Sequence, residues 1–490
     1  MSLPHFLVDD HTAMMNFIEK TLCCFESCFS RKAAFRWFAV ITIGLMLRSD
    51  QLGVTSVIRD LALAPGCYDS MLHFFRASSW SLGDIRRRWF SAVRQYAPLF
   101  EEGNLRVLVG DGVKQSKEGR RMPGVKKLFQ ESENSAKPEY IHGHMFGGLG
   151  ILAGSARSWA CIPLSIRLHD GLQAARTWKG ASVSAASHVV QMVEDAYQAA
   201  LTFGDSLLLL DRYFLTVPAL EKLKSLNSSG NVRMEIVTKA KKSCTAFHKP
   251  GPRKPGRGRP AKKGAAVHLK ELFVSQYGQF QETEMELYGK TETIRYYSID
   301  LLWGQKLYQE LRFVLVEMGG IQSILASTSL ALDPLSIIRL YSYRFRIECT
   351  FRELKQQTGA FCYRFWSKYL PKLSYYQKKG EPAPMERVEG EKPRQKVLEA
   401  VRAIEMHMAL SCIAMGILQS LSICCIGKAS SRQLRYQRTP SRGRVSEAAL
   451  MHYFRKHFFR LLGQKPELYI TQIIHGLQEE PEEQWDSLAS

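Results

Sequence analysis

No two cysteines stand in a Cys-x-x-Cys pair, and the eleven in the chain are an odd number scattered along 490 residues. That pattern argues against a disulfide framework and a zinc module, and predicts a reducing, intracellular compartment, the cytoplasm. The nearest cluster, Cys23, Cys24 and Cys28, follows a helical apolar pattern and reads as packing. Near the start a long apolar run is missing as well. The longest near the start, Trp37 to Leu47, falls well short of the roughly 20 residues a spanning helix needs, and Arg36 and Arg48 bracket it. A buried helix is expected there, and no membrane partner. No N-terminal segment joins a basic start, an apolar centre and a small-residue cleavage site, so secretion is not expected. Acids are scarce: 46 Asp and Glu face 67 Lys and Arg, and the net charge of +21 favours a polyanion such as nucleic acid as partner. No internal repeat is visible, and a chain this long predicts two to four structural units.

The first hundred residues carry apolar positions at helical spacing. Within them, Val54 to Ser78 gives two short amphipathic segments broken by Ala64-Pro65-Gly66, a pattern shared by a DNA-reading helix-turn-helix and an ordinary helical hairpin. After Asn104 the texture changes. LRVLVGDG is an apolar strand running into Asp111, and HGHMFGGLGILAG and SWACIPLSIRLHD predict two strands joined near Ser155. A helix from about Ser184 to Leu201 precedes SLLLLDRYF, a buried strand ending in Asp211. A short helix around Pro218 to Leu226 and the strand VRMEIVTK follow, so the centre reads as an α/β core.

From Lys239 to Lys263 ten Lys or Arg occur without one acid, among prolines and glycines. The composition predicts an extended loop that contacts phosphates with little sequence preference. Arg257 and Arg259, in Arg-Gly-Arg-Pro, resemble the core of a minor-groove AT-hook. Strand-like segments return between Glu284 and Val316 and at Ser323 to Thr328. Asp333, with Pro334 behind it, then reads as the N-cap of a helix. Gln377 to Lys396 reads as a loop, and helices are expected over Val397 to Cys425 and Ser446 to Leu462.

On one continuous helix Tyr341, Arg344, Glu348 and Lys355 fall within an arc of about 60°. The stripe is polar where a core-facing helix is apolar, and i,i+4 pairing accounts for Arg344 and Glu348 alone. Asp111 and Asp211, at the ends of buried strands, need a partner or a cation to stay ionised near a core. A third acid from the helix would complete an oxygen cage for Mg²⁺ or Mn²⁺. Two such ions, ~4 Å apart, activate a water or a DNA 3′-hydroxyl and stabilise the leaving oxygen at phosphorus.

The spacing Tyr341-x2-Arg344-x3-Glu348-x6-Lys355 resembles the Y-x2-R-x3-E-x6-K signature of the DDE transposases of the insertion-sequence-four group. GDGVKQSKEGRRMPGV around Asp111, DRYF after the second strand, and SILASTSLALDP before the helix are similar to that family too, over roughly Leu105 to Leu421. The resemblance implies an α/β fold whose RNase H-like catalytic core (residues 101–239 and 321–376) is interrupted by a β-rich insertion domain (240–320) holding the basic loop. A helical N-terminal DNA-binding region (1–100) and a helical C-terminal region with a possible dimerisation role (377–490) would flank it. It also implies Asp111, Asp211 and Glu348 as catalytic metal ligands for two Mg²⁺ or Mn²⁺ ions. Tyr341, Arg344 and Lys355 would contact transposon-end DNA, with Arg257 and Arg259 from the basic loop. The activity implied is cut-and-paste transposition by a homodimer acting on double-stranded transposon ends and target DNA, in the nucleoid of a prokaryote. A non-cutting DNA-binding regulator and a structure-specific nuclease are the alternatives.

Other candidates have plainer readings. His142 and His144 read as hydrogen-bonded structural histidines, Trp303 as packing, and Glu353, about 140° round the helix from Glu348, as a surface charge. Asp205 precedes its strand where Asp211 ends it, which favours Asp211 as the second acid.

Overall fold

The computed structural model describes residues 11–50, 53–130, 138–155, 158–252, 260–376, 380–424 and 445–478. The first hundred residues form helices α1 (His11–Cys23), α2 (Lys32–Leu47), α3 (Thr55–Asp60), α4 (Cys67–Arg76) and α5 (Leu82–Tyr96). The apolar run at Trp37 is the interior of α2, with Phe38, Val40, Ile41 and Leu45 fully buried. Strands follow: β1 (Glu101–Glu102), β2 (Leu105–Ser116), β3 (Lys126–Phe129), β4 (Tyr140–Ser155) and β5 (Ser158–Leu168). Then come α6 (His188–Phe203), β6 (Ser206–Leu209), α7 (Val217–Ser229) and β7 (Met234–Ala240). The caps set these boundaries. Gly204, at φ +92°, ends α6 while its N–H returns to the Ala200 carbonyl, and the Thr216 hydroxyl accepts from Ala219 N ahead of Pro218 at the start of α7.

The basic run departs from the expected loop. Strands β8 (Thr245–Phe247) and β9 (Ala266–His268) pair antiparallel at its ends. Ala246 is fully buried, and the Lys263 ammonium lies 3.8 Å from the centre of the Phe247 ring, so the ends of the run are folded. Arg257 and Arg259 lie outside the described residues. The short helix α8 (Leu272–Ser275) and strands β10 (Gln281–Leu287), β11 (Lys290–Trp303), β12 (Gln309–Met318) and β13 (Ile321–Ser327) lead to α9 (Pro334–Tyr343) and α10 (Arg346–Gln356). The chain closes with α11 (Glu391–Cys424), α12 (Glu447–Gly463) and α13 (Tyr469–His475). The loop expected to reach Lys396 therefore ends earlier, because Pro393 sits in the first turn of α11, where its missing N–H costs nothing.

The chain divides into two compact units. One comprises residues 1–100, 112–185 and 349–490. Its centre is α11, 34 residues long, which packs on β5, α2, α4, α5 and α12. This helix is long and apolar enough to cross a membrane, but 89% of its apolar window is buried inside the protein, as in a core helix. Gly416 makes that burial possible: a Cβ there would stand 2.2 Å from the Trp89 ring, whose indole N–H donates to the Pro163 carbonyl at 2.9 Å. Strands β4 and β5 form the long antiparallel hairpin expected around Ser155.

The other unit comprises residues 101–111 and 186–348. Its strands β2, β6 and β7 run parallel, in register at Val109, Leu209 and Val237. From β7 the ladder turns antiparallel through β13, β12, β11 and β10, with β8 on the edge of β11. The fold is mixed α/β with mostly antiparallel strands, the parallel trio standing beside α6 and α7.

Candidate active site

The parallel trio sets the acids side by side. Paired residues of neighbouring strands point to the same face. Two residues beyond the register of Val109, Leu209 and Val237 come Asp111, Asp211 and Lys239, one row across three strands. Between the second and third members of the row the pairing persists, since Leu210 N donates to the Val237 carbonyl at 3.0 Å and the Thr238 hydroxyl to the Asp211 carbonyl at 2.8 Å. Gly110 permits the close approach: a Cβ would meet Met192 Sδ at 2.7 Å and Leu210 Cδ2 at 2.8 Å. Asp205 stands at the opposite end of β6, where its carboxylate accepts from Arg233 N at 2.8 Å and fixes a turn.

The third acid arrives differently from the sequence expectation. Instead of one helix from Pro334 to Lys355 there are two, α9 and α10, with a break at Arg344 and Phe345. The bonds across the break are i to i−3: Arg344 N to Tyr341 O at 3.1 Å, Ile347 N to Arg344 O at 3.2 Å and Glu348 N to Phe345 O at 3.0 Å. The single-helix arc therefore does not hold across the break, and the tighter turn re-aims the side chains on either side of it. Asp333 caps α9 as expected, its carboxylate accepting from Leu335 N and Ser336 N, both at 3.0 Å.

Arg344 is the centre of the site. Its guanidinium donates to Asp111 Oδ2 at 3.1 Å and to Glu348 Oε1 at 2.5 Å. Burial disfavours its charge, yet Asp111, Tyr341, Glu348 and Asp211 together outweigh that and raise its pKa. The structure thus brings Asp111, Asp211, Tyr341, Arg344 and Glu348 together within one unit. Burial pushes the Tyr341 phenol well above its ordinary pKa, so it stays neutral beside the cation. Lys355 belongs to the other unit, where its ammonium lies 5.4 Å from the centre of the Phe361 ring.

The remaining candidates separate. Glu353 is not a surface charge: it is 5% exposed, on the α10 face that also buries Thr350 and Leu354. Thr350 anchors that face by donating to the Cys161 carbonyl at 2.7 Å. His144 is fully buried between the Pro123 carbonyl at 2.8 Å and the Tyr363 hydroxyl at 2.5 Å, and burial pushes its pKa down to about 3. His142 lies 4.5 Å, centre to centre, from the Tyr375 ring. The Trp303 indole N–H donates to Cys244 Sγ at 3.1 Å. Sequence reasoning missed Tyr288, whose φ of +54° with Gly289 at +78° makes the tight turn between β10 and β11. Its ring lies 5.9 Å from that of Phe345, and its phenol senses the Arg344 charge. The signal was a Tyr-Gly pair between alternating strands.

A family model described as DDE superfamily endonuclease matches residues 24–294, more than half of the chain. The chain belongs to the DDE superfamily endonucleases. The matched span includes Asp111 and Asp211 and ends before the helix that carries Glu348. No curated protein and no solved structure matches the chain.

Endonucleases of this superfamily generally use divalent metal ions. Among the described residues no three His, Cys, Asp or Glu side chains gather closely enough to hold one. The donor chemistry nevertheless fits, because all three acids offer carboxylate oxygens, the ligands of a hard cation. They already surround a positive charge, with Arg344 bonded to two of them and attracted by the third. The guanidinium supplies the positive charge between Asp111 and Glu348.

Proposed function

We propose that this endonuclease is a DNA transposase resembling the insertion-sequence-four group. On this reading it binds the inverted-repeat ends of its element, cleaves them by phosphodiester hydrolysis and joins the freed 3′-hydroxyls to target DNA. The observation that carries the proposal is the row of Asp111 and Asp211 on parallel strands, joined to Glu348 through the shared guanidinium of Arg344. Acids two residues beyond the parallel pairing of β2 with β6 support an RNase H-like core, and the antiparallel strands between Asp211 and Glu348 support an insertion.

Asp111, Asp211 and Glu348 would hold Mg²⁺ or Mn²⁺, which when bound polarises the scissile phosphate and the attacking oxygen. The chain's own residues do the rest. Arg344, released from the carboxylates, holds a phosphate oxygen by two parallel N–H donors, and the neutral Tyr341 hydroxyl donates beside it. Lys355, with Arg257 and Arg259 of the basic run, adds phosphate contacts along the strand. A homodimer, paired across two ends, follows from the resemblance.

The test is Glu348→Gln, assayed with Mg²⁺ on duplexes copied from the DNA flanking the coding sequence. Loss of cleavage on the order of a thousandfold is expected, since one ligand of the cation is worth several kcal/mol. Undiminished cleavage would refute the catalytic assignment. A precut duplex with a free 3′-hydroxyl then separates a transposase, which joins it to a plasmid, from a nuclease, which does not.

A further inference from the structure

The row across β2, β6 and β7 has a third member that the acid triad leaves unexplained. Lys239 follows Val237 by two residues on β7, as Asp211 follows Leu209 on β6, so both side chains rise from the same face. On the far side β13 pairs with it at Leu325, so the backbone of Lys239 lies between paired strands while its side chain, on the face, is only partly exposed. Among the described residues its ammonium makes no hydrogen bond and no ion pair, although Asp211 is within electrostatic reach. A half-buried ammonium without a partner is costly to keep.

The charges around it show what would relieve that cost. Burial lowers its pKa, Asp211 opposes the effect, and Arg212, Lys242 and Arg344 add to it. Arg212, Lys242 and Arg344 thus repel the Lys239 ammonium and Asp211 attracts it. The spot lacks an anion that can sit beside Asp211 without displacing it, and a phosphodiester oxygen has that chemistry.

We propose that Lys239 is a phosphate-holding residue of the active site, taking a non-bridging oxygen of the DNA phosphate next to Asp211 while Arg344 takes the opposite side. The inference rests on the proposed DNA-cleaving reading of the acids and adds a residue that the signature motif does not contain. Lys239 is the one cation in the row of acids, placed by strand register, whereas Arg344 reaches the site from the break between α9 and α10.

The experiment uses the full chain with Lys239→Gln and Lys239→Arg, and the same flanking-DNA duplexes. Fluorescence anisotropy across a salt series gives the slope of log affinity against log salt. The Gln variant should lose one phosphate contact, a slope smaller by about 0.9, and the Arg variant should restore it. Cleavage with Mg²⁺ should fall roughly tenfold or more for Gln and recover in Arg. A thermal melt should show Gln at least as stable as the parent, because it removes a half-buried charge that has no ion-pair partner among the described residues. Should Gln fail to fold, Lys239→Met keeps the buried stem and carries the same expectations. A parental slope and parental cleavage in the Gln or Met variant would overturn the assignment of Lys239. Loss of cleavage in Glu348→Gln alongside that result leaves the catalytic reading standing, while a fully active Glu348→Gln removes the reading itself.

Discussion

At the scale of single residues, His144 shows how burial decides protonation. With the Pro123 carbonyl at Nε2, that nitrogen carries the proton and Nδ1 accepts from the Tyr363 hydroxyl. The folded-state pKa of about 3 lies below the ordinary 6.5, so between these values the unfolded chain takes up a proton that the native chain refuses. Stability is therefore lost as pH falls from 6.5 towards 3. In His144→Gln, which keeps a donor and an acceptor, calorimetric melts over that range should show a pH slope shallower by about one proton. An unchanged slope would contradict the buried neutral state. The sequence already marked His144 as structural, because soft imidazole suits a hard cation poorly. It misjudged Glu353, because the angle round a helix says which face a residue takes and not which face the core covers.

At the scale of elements, the break between α9 and α10 is what periodicity concealed. Tyr341 to Lys355 reads as one uninterrupted stripe, with no proline or glycine to signal a turn, and the tightened bonds at Arg344 arise from tertiary context. The acids were more legible than the break. Each follows a buried apolar run, so Asp111 and Asp211 could be named from local sequence, although β2 does not stop at Asp111 as expected but continues to Ser116. Their shared row depends on register between strands, which no local pattern encodes. Gly110 is closely packed beside that row. Gly110→Ala would place a methyl against the side-chain ends of Met192 and Leu210, which must shift to admit it, at a cost of about 1–3 kcal/mol. A lower melting temperature together with weakened cleavage is the expected result, and a fully parental variant would show that these side chains absorb the methyl.

At the scale of the whole molecule, a net charge of +21 predicts a DNA affinity that falls with salt, as counterions are released from each neutralised phosphate, and titration of binding against salt checks it. Composition alone carries this expectation. It did not disclose that the ends of the basic run are tied into strands β8 and β9, because pairing there rests on Ala246 and Phe247, two apolar residues lost among ten charges. The partition into two units was also hidden, since each is assembled from separate stretches of chain. The arginine set between Asp111 and Glu348 finally bears on how the resting protein is handled. Carboxylates that repel one another ordinarily make a metal-free nuclease fragile, but here the polypeptide supplies its own counterion. A chelator should leave the melting temperature of the parent unchanged, whereas Arg344→Gln should melt lower and regain stability when Mg²⁺ is added. On the proposed reading the ion pairs of Arg344 with Asp111 and Glu348 would keep the resting chain stable until a metal ion takes the place of the guanidinium.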